Sequence, residues 1–489
     1  MVGRYLDPEA LVDRELETAE LRALLSAGAP KLALLTGRRR VGKTWLLTHI
    51  WPPNQYFLFT ASRTSPELNR RQLLADLERF TGQDLPAEDF PTWRTVFNLL
   101  LDLKTSEPLA VVLDEFQYLA EDDAGLARVA SELNAAWERP RPPKPFLMVL
   151  AGSAVGTMRG LAAGGAPLYG RFNWQHQLAP LDYWYAGELA PYESLRDRAT
   201  VYGVFGGTPR YLSTLATSEP LESNIIRQLL SPRGEVRLLV ETALDQEEGL
   251  RDVSTYNAIL RAVARGATLR NEIAQQAGLT NDTGLRDKLD RLVGLGYLRS
   301  SRNIGAKVNS PVRYGVNDPA LRFYQRFVQP NGSALEREDP ALVWAEAIRN
   351  SLPSYMGFEF ESIVRQAYGR LGLVHELPIV KEWGTWQGMD RAGRGLEIDV
   401  VAPLLSSGTL TGSIKWNETP IGADVHYAHL DMLTRAAHAG QAWAHSALEE
   451  GSPLLYAAAG GFDPSFAKYA KGSGKRVILW TLEDLYAPA

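Results

Sequence analysis

Short apolar runs punctuate the first part of the chain, at 32–35 (LALL), 56–59 (YFLF), 109–113 (LAVVL) and 146–150 (FLMVL), with 174–178 (WQHQL) a weaker case. Runs that stay apolar without alternating predict strands covered on both faces. The stretches between them have helical periodicity, and the alternation of the two predicts an α/β sheet with crossover helices over residues 1–215. The proline-rich RPRPPKP at 139–145 interrupts the pattern ahead of the fourth run and reads as extended and exposed.

Beyond residue 215 the pattern changes. Residues 216–250 read as a helical connector. In 251–330, Ile259, Leu260, Val263 and Ala264 give one apolar helix face. A second short helix follows at 269–277 and a turn at 278–283. A third helix carries Leu285, Leu289, Leu292 and Leu295 in phase. Two strand-like pieces, 297–301 and 312–316, close the segment, and helix, helix, turn, helix, hairpin is the winged helix-turn-helix order. Residues 330–345 read as a polar linker. A further unit fills 346–489, with a helix at 356–365 and strands at 396–402 and 411–416. No internal repeat is visible.

At 489 residues the chain is too long for one core and predicts about three domains. It has no run of about 18 uninterrupted apolar residues, so no membrane span is expected. Its start lacks a cationic segment followed by an apolar one, which predicts a cytoplasmic protein. The absence of cysteine excludes disulfides, thiolate zinc sites and cysteine nucleophiles, and the 7 histidines include no H-x-x-x-H pair. Net charge is −5, but residues 251–330 hold 13 Lys+Arg against 6 Asp+Glu, a local +7, leaving −12 elsewhere. That asymmetry points to an anionic partner for the middle segment, or to solvated helix faces.

The chemistry concentrates at residues 37–44, GRRRVGKT, a full match to G-x-x-x-x-G-K-[ST] between a predicted strand and a helix. Gly37, Arg38, Arg39, Arg40, Val41 and Gly42 form a loop whose N–H groups cradle phosphates. Lys43 reaches the β and γ phosphates and Thr44 ligates Mg²⁺. The following helix adds its positive N-terminal end. The third run ends in Asp114-Glu115, which places one acid by the Mg²⁺ and the other where it orients or deprotonates water. The fourth runs into Ser153, within reach of the γ phosphate or else a helix cap. Arg171 and Arg210 are candidates for the guanidinium that neutralises transition-state charge, or are salt-bridge partners. A nucleoside triphosphate and Mg²⁺ are therefore the expected ligands.

In order, LVDRE at 11–15, GRRRVGKT, LDEFQYL at 113–119, AGS at 151–153, LYGR at 168–171 and FGGTPRYL at 205–212 resemble the archaeal-type ATPase family of the AAA+/STAND radiation. The resemblance covers about residues 1–215. It implies ATP as the nucleotide and a P-loop fold with Lys43 and Thr44 on phosphate and Mg²⁺, Asp114 on Mg²⁺, Glu115 on water, Ser153 as first sensor and Arg171 as the finger, in its own chain or on a neighbour. It also implies that 12–15 lie against adenine, although Asp13 stands where the family usually has glycine.

The third helix of the middle segment offers Arg286, Lys288 and Arg291 to DNA, unless the module is a lid or a protein contact. At the C-terminus, Glu361 on a helix, Asp399 on one strand and Lys415 on the next resemble the α/β PD-(D/E)XK nuclease-like, or restriction-endonuclease-like, domain that closes this family. Carboxylates there would hold Mg²⁺ and the lysine would help activate water. The pattern asks for an acid two residues before the lysine, where this chain has Ser413, a poor Mg²⁺ ligand. The expected function is an ATP-hydrolysing switch acting on DNA, with an ATP-gated nuclease and a non-catalytic DNA-binding regulator as alternatives. Protein partners or self-association remain open.

Overall fold

The computed structural model describes residues 13–104, 107–247, 250, 252–372, 374–472 and 474–488. It divides into two compact units. The first comprises Met1–Leu181 with Thr208–Arg210, and the second Asp182–Gly207 with Tyr211–Ala489.

In the first unit the apolar runs form β1 (Lys31–Thr36), β2 (Tyr56–Thr60), β3 (Leu109–Asp114), β4 (Phe146–Gly152) and β5 (Trp174–Gln177). They pair in the order β2-β3-β4-β1-β5, with every pairing parallel. The lack of alternation is explained by two cores. Leu32, Leu34, Val111, Leu113, Met148 and Leu150 face the helices Pro66–Thr81, Trp93–Asp102 and Asp123–Trp137. Their neighbours Ala33, Leu35, Ala110, Val112, Leu147 and Val149 face Glu15–Leu25 and Lys43–His49. The two-residue strand period sends successive side chains to opposite faces, so both sets must be apolar. Each large buried side chain contributes about 1.5–3 kcal/mol of transfer free energy.

Side-chain caps fix where the helices begin. Ser65 accepts from Leu68 N with Pro66 at the first helical position, Thr92 and Thr95 form a reciprocal box, and Asp122 accepts from Gly125 N. The strand order has a direct consequence. Thr36 pairs with Gly152 and Leu113 with Leu150, so β4 separates the strand before the phosphate loop from the strand that ends in Asp114. The ends of β1, β3 and β4 thus emerge side by side at one edge of the sheet.

The second unit opens with the helices Tyr183–Leu189 and Leu195–Phe205. In the middle segment the helices Val253–Ala264, Arg270–Ala277 and Thr283–Gly294 precede the antiparallel pair β6 (Leu298–Ser301) and β7 (Arg313–Val316). Leu285, Leu289, Leu292 and Leu295 are all buried, as their phase requires. Residues 330–345 are not a linker. They form Gly332–Arg337 and Pro340–Val343, which continue through Trp344–Ile348 toward the long helix Leu352–Leu371. Leu335, Val343, Trp344 and Ile348 are buried. The charged run 336–339 masks their helical spacing in the sequence.

The C-terminal sheet comprises β8 (Gly384–Met389), β9 (Gly395–Pro403), β10 (Thr409–Lys415), β11 (Leu454–Ala458) and β12 (Val477–Trp480), in the order β12-β11-β10-β9-β8. The first two neighbouring pairs in the chain are antiparallel and the last two parallel. Ile304, from the loop between β6 and β7, belongs to the core of this sheet together with Trp386 and Trp443. Asn303 Nδ2 donates to Gln387 O at 2.7 Å. The segments 251–330 and 346–489, separate in the sequence reading, therefore share one packed unit. No helix is long and apolar enough to cross a membrane among the described residues.

Candidate functional site

The loop 37–44 joins β1 to the helix Lys43–His49. A Cβ on Gly37 would stand 2.8 Å from Leu178 O, so only glycine passes there. Gly42 ends the loop in the left-handed region at φ 95°, and the helix it opens has no side-chain cap. The amides at that end are thus not capped by a side chain and suit an anion. Val41 has a different job. It is 2% exposed and packs with Leu46 and Leu47 in the core beneath the loop.

Lys43 is 5% exposed and its Nζ donates to the carbonyls of Gly37 at 2.7 Å and Arg38 at 3.1 Å. The ammonium thus lies folded against the loop it follows, a pose that phosphate oxygens would compete for. Thr44 Oγ1 donates to Asp114 Oδ2 at 2.5 Å. Burial pushes the Asp114 carboxyl up, opposed by the Thr44 hydrogen bond and the charge of Lys43. A buried carboxylate in contact with a hydroxyl at the end of a strand fits a hard divalent cation with remaining water ligands. Thr44 and Asp114 are the groups that would hold Mg²⁺.

Glu115 caps β3 in a left-handed conformation, φ 51°, uncommon for a residue with a Cβ. Its Oε2 accepts from Ser153 Oγ at 2.7 Å, from Ser153 N at 3.2 Å and from Gln117 Nε2. Burial alone would raise this carboxyl. The Ser153 hydroxyl, the Lys43 charge and the Gln117 amide outweigh it and hold Glu115 below the ordinary range. Lys43, Thr44, Asp114, Glu115 and Ser153 therefore converge at the C-terminal edge of the sheet, where open parallel sheets bind ligands.

The arginines separate. Arg38 and Arg40 lie in the loop with their surfaces half-buried, and Arg40 adopts φ 71°. Arg39 Nη2 donates to Tyr118 Oη at 2.6 Å and Arg63 Nε to the same oxygen at 2.9 Å. Arg171 pairs with Glu138 and Asn134. It precedes Asn173, whose amide donates to Leu32 O at the start of β1. The phosphate loop follows the far end of that six-residue strand, so Arg171 stands about 20 Å from the loop in its own chain. Arg210 lies with the first unit, directly after Pro209, whose Cγ is 3.9 Å from where a Cβ on Gly42 would stand. Of the 12–15 segment, Val12 lies outside the described residues, and Arg14 is tied to Ala179 O at 2.9 Å and paired with Asp13.

In the second unit Arg286 is exposed, 3.7 Å from Asp290, and Arg291 is exposed with Lys288 half-buried. At the nuclease-like position, Asp399 Oδ2 accepts from Ile414 N at 2.7 Å, Ser413 Oγ at 3.2 Å and Lys415 Nζ at 3.3 Å. Glu361 is near enough for the charge of Asp399 to add to burial and push its carboxyl up to about 7. Among the described residues, no group of three or more His, Cys, Asp or Glu could hold a metal ion. The expected Glu361–Asp399 metal site is thus short of carboxylates: of the two acids on β9, Asp399 is already engaged by donors, and Glu397 is exposed and accepts from Gln387 Nε2 at 2.6 Å.

Two contributors escaped the sequence reading. Gln117 reaches the Glu115 carboxylate from within LDEFQYL, where it is the polar residue in an otherwise apolar and aromatic run after the acids. Asn69, 2% exposed, accepts from Ser62 N and donates to Ser62 O and Tyr118 O, bracing the segment after Glu115. No sequence motif marks Asn69.

Residues 11–215 match the family described as an ATPase domain predominantly from Archaea, and residues 324–426 match archaeal and bacterial proteins of unknown function. An uncharacterized protein of Methanocaldococcus jannaschii is 25% identical over 398 residues, covering 80% of this chain and 84% of that protein. Among solved structures, a Walker-type ATPase of Pyrococcus abyssi overlaps with a TM-score of 0.48 at 20% identity, covering 65% of this chain and 97% of the other. The Aeropyrum pernix ORC2 protein, in ADPNP–ADP complexes, gives 0.41 at 14% identity, covering 68% and 98%. The matched family and the site geometry agree that the chain carries a P-loop ATPase domain.

Proposed function

We propose that this ATPase domain works as a molecular switch, binding and hydrolysing ATP to control what the second unit does with DNA. The observation that carries the reading is the convergence of Lys43, Thr44, Asp114, Glu115 and Ser153 at one sheet edge. Lys43 exchanges its loop carbonyls for phosphate oxygens. Mg²⁺, held by Thr44 and Asp114, would supply charge neutralisation at the β and γ phosphates. Glu115 accepts a proton from, or orients, the attacking water. Ser153 anchors that carboxylate, and Arg210, exposed and directly after the Pro209 that packs toward Gly42, is assigned the role of reporting the phosphate state. Arg171, on the opposite edge of its own sheet, acts as a finger only toward a neighbouring molecule.

The DNA part of the proposal rests on the basic balance of 251–330 and on exposed Arg286 and Arg291. The helix-helix-helix-hairpin order supports a winged helix-turn-helix reading of that segment, and the mixed sheet with Glu361, Asp399 and Lys415 supports a nuclease-like ancestry for the last. The hydrogen bonds that occupy Asp399, together with Ser413, favour a binding or structural role there over phosphodiester cleavage.

The test is ATP turnover against protein concentration, with and without duplex DNA. The reading predicts a specific rate that rises with concentration, stimulation by DNA, and loss of that stimulation when Arg286 and Arg291 are reversed to Glu. A concentration-independent rate that DNA leaves unchanged would contradict both the neighbouring-finger and the DNA elements.

A further inference from the structure

The Glu115 carboxylate is gripped by one oxygen. Oε2 accepts three hydrogen bonds, from Ser153 N, Ser153 Oγ and Gln117 Nε2, whereas among the described residues no donor is placed on Oε1. The grip depends on a local fold. Glu115 turns the chain in the left-handed region, and Tyr118 N donates back to Glu115 O at 2.9 Å, which folds Gln117 underneath the carboxylate. Gln117 is 5% exposed, and its Oε1 is buried without a hydrogen-bond partner. A buried acceptor left unmade is costly, so packing alone does not explain a glutamine at this place.

Gly152 completes the arrangement. A Cβ there would collide with Gln117 Oε1 and with Met158, so the end of β4 is kept bare where the amide lies. The amide has one workable orientation. With Nε2 toward Glu115 it donates to a carboxylate, and turned over it would set oxygen against oxygen.

We propose that Gln117 is a positioning residue of the hydrolytic step: together with Ser153 it pins Oε2 of Glu115, so that Oε1 is the oxygen presented to the attacking water. The inference rests on Glu115 acting as the base. In that step Oε1 takes a proton from water as the water oxygen bonds to the γ phosphorus. The bond from that phosphorus to the bridging oxygen breaks, and ADP leaves with the electron pair. The proton then passes from Glu115 to phosphate or solvent. A carboxylate free to rotate about its last bond would present Oε1 for only part of the time, a loss of orientation rather than of binding.

The experiment compares Gln117→Met, which keeps the volume and removes the donor, and Gln117→Glu, which keeps the shape, with the unmodified chain and with Glu115→Gln. Steady-state ATP turnover, ATP affinity and thermal unfolding are measured for each. Both Gln117 variants are expected to lose about tenfold in kcat, with KM and ATP affinity within about twofold. The unfolding midpoint should stay within a few degrees, and Gln117→Met should add nothing when built into Glu115→Gln. A kcat within twofold of the unmodified chain, beside an inactive Glu115→Gln, overturns the role of Gln117 and leaves Glu115 as the base. A further tenfold loss in the Glu115→Gln background also overturns it, by showing that Gln117 acts elsewhere. Normal turnover by Glu115→Gln overturns the base assignment itself.

Discussion

Ser153 shows how little of a residue's role is chemical identity and how much is address. Its backbone N–H and hydroxyl both donate to Glu115, so one residue supplies two of the three anchors of the carboxylate. Replacing it by alanine removes the hydroxyl and leaves the amide, which predicts a partial effect. Ser153→Ala should lower kcat about three- to tenfold at unchanged ATP affinity, the equivalent of about 1 kcal/mol for one charge-assisted hydrogen bond. Steady-state turnover beside equilibrium ATP binding checks this, and a change in affinity alone would contradict it. The glycines follow the same logic. Gly37 admits Leu178 O and Gly152 admits Gln117, each because a Cβ would occupy that space. GRRRVGKT and LDEFQYL made Lys43, Thr44, Asp114 and Glu115 legible in the sequence. Gln117 and Asn69 were not, because their function depends on a turn and a cross-segment contact that no linear spacing encodes.

Among the elements, the runs at 32–35, 56–59, 109–113 and 146–150 became strands of one parallel sheet, whose two faces are covered by helices as apolar residues on both strand faces require. The stretch at 330–345 misled for the opposite reason. Its charges face outward and are read first, while Leu335, Val343, Trp344 and Ile348 supply the buried face. The long helix Leu352–Leu371 carries a further consequence in Glu361. Burial, with the charge of Asp399 second, pushes its carboxyl from an ordinary 4.5 up to about 7. Below about pH 4.5 the group is protonated whether the chain is folded or not. Between that value and 7 only the folded chain keeps the proton, so stability falls as pH rises through the window and then levels off. Glu361→Gln is therefore predicted to stabilise the second unit by about 1–3 kcal/mol at pH 8 and by little at pH 4.5. Denaturant unfolding of the full chain at the two values decides, and an equal change at both would contradict the burial argument.

Across the whole molecule, the first unit presents phosphate-handling groups on one edge of its sheet and Arg171 on the other, a polarity suited to self-association in which one chain completes the site of the next. In the second unit the loop between β6 and β7 places Ile304 in the core beside Trp386 and Trp443, so that loop is committed to internal packing, while the helix Thr283–Gly294 exposes Arg286 and Arg291 together with Asp287 and Asp290. That coupling was invisible in the sequence, where 251–330 and 346–489 read as independent, because it is made by a loop residue with no periodic signal. The proposed switch requires Lys43 to bind the triphosphate and Glu115 to drive its hydrolysis. The most direct measurement is ATP affinity and ATP turnover of the full chain with Mg²⁺, for the unmodified protein, Lys43→Ala and Glu115→Gln. The prediction is that Lys43→Ala loses ATP binding, whereas Glu115→Gln binds ATP as the unmodified chain does and turns it over at least a hundredfold more slowly. Tight ATP binding by Lys43→Ala, or normal turnover by Glu115→Gln, would contradict it.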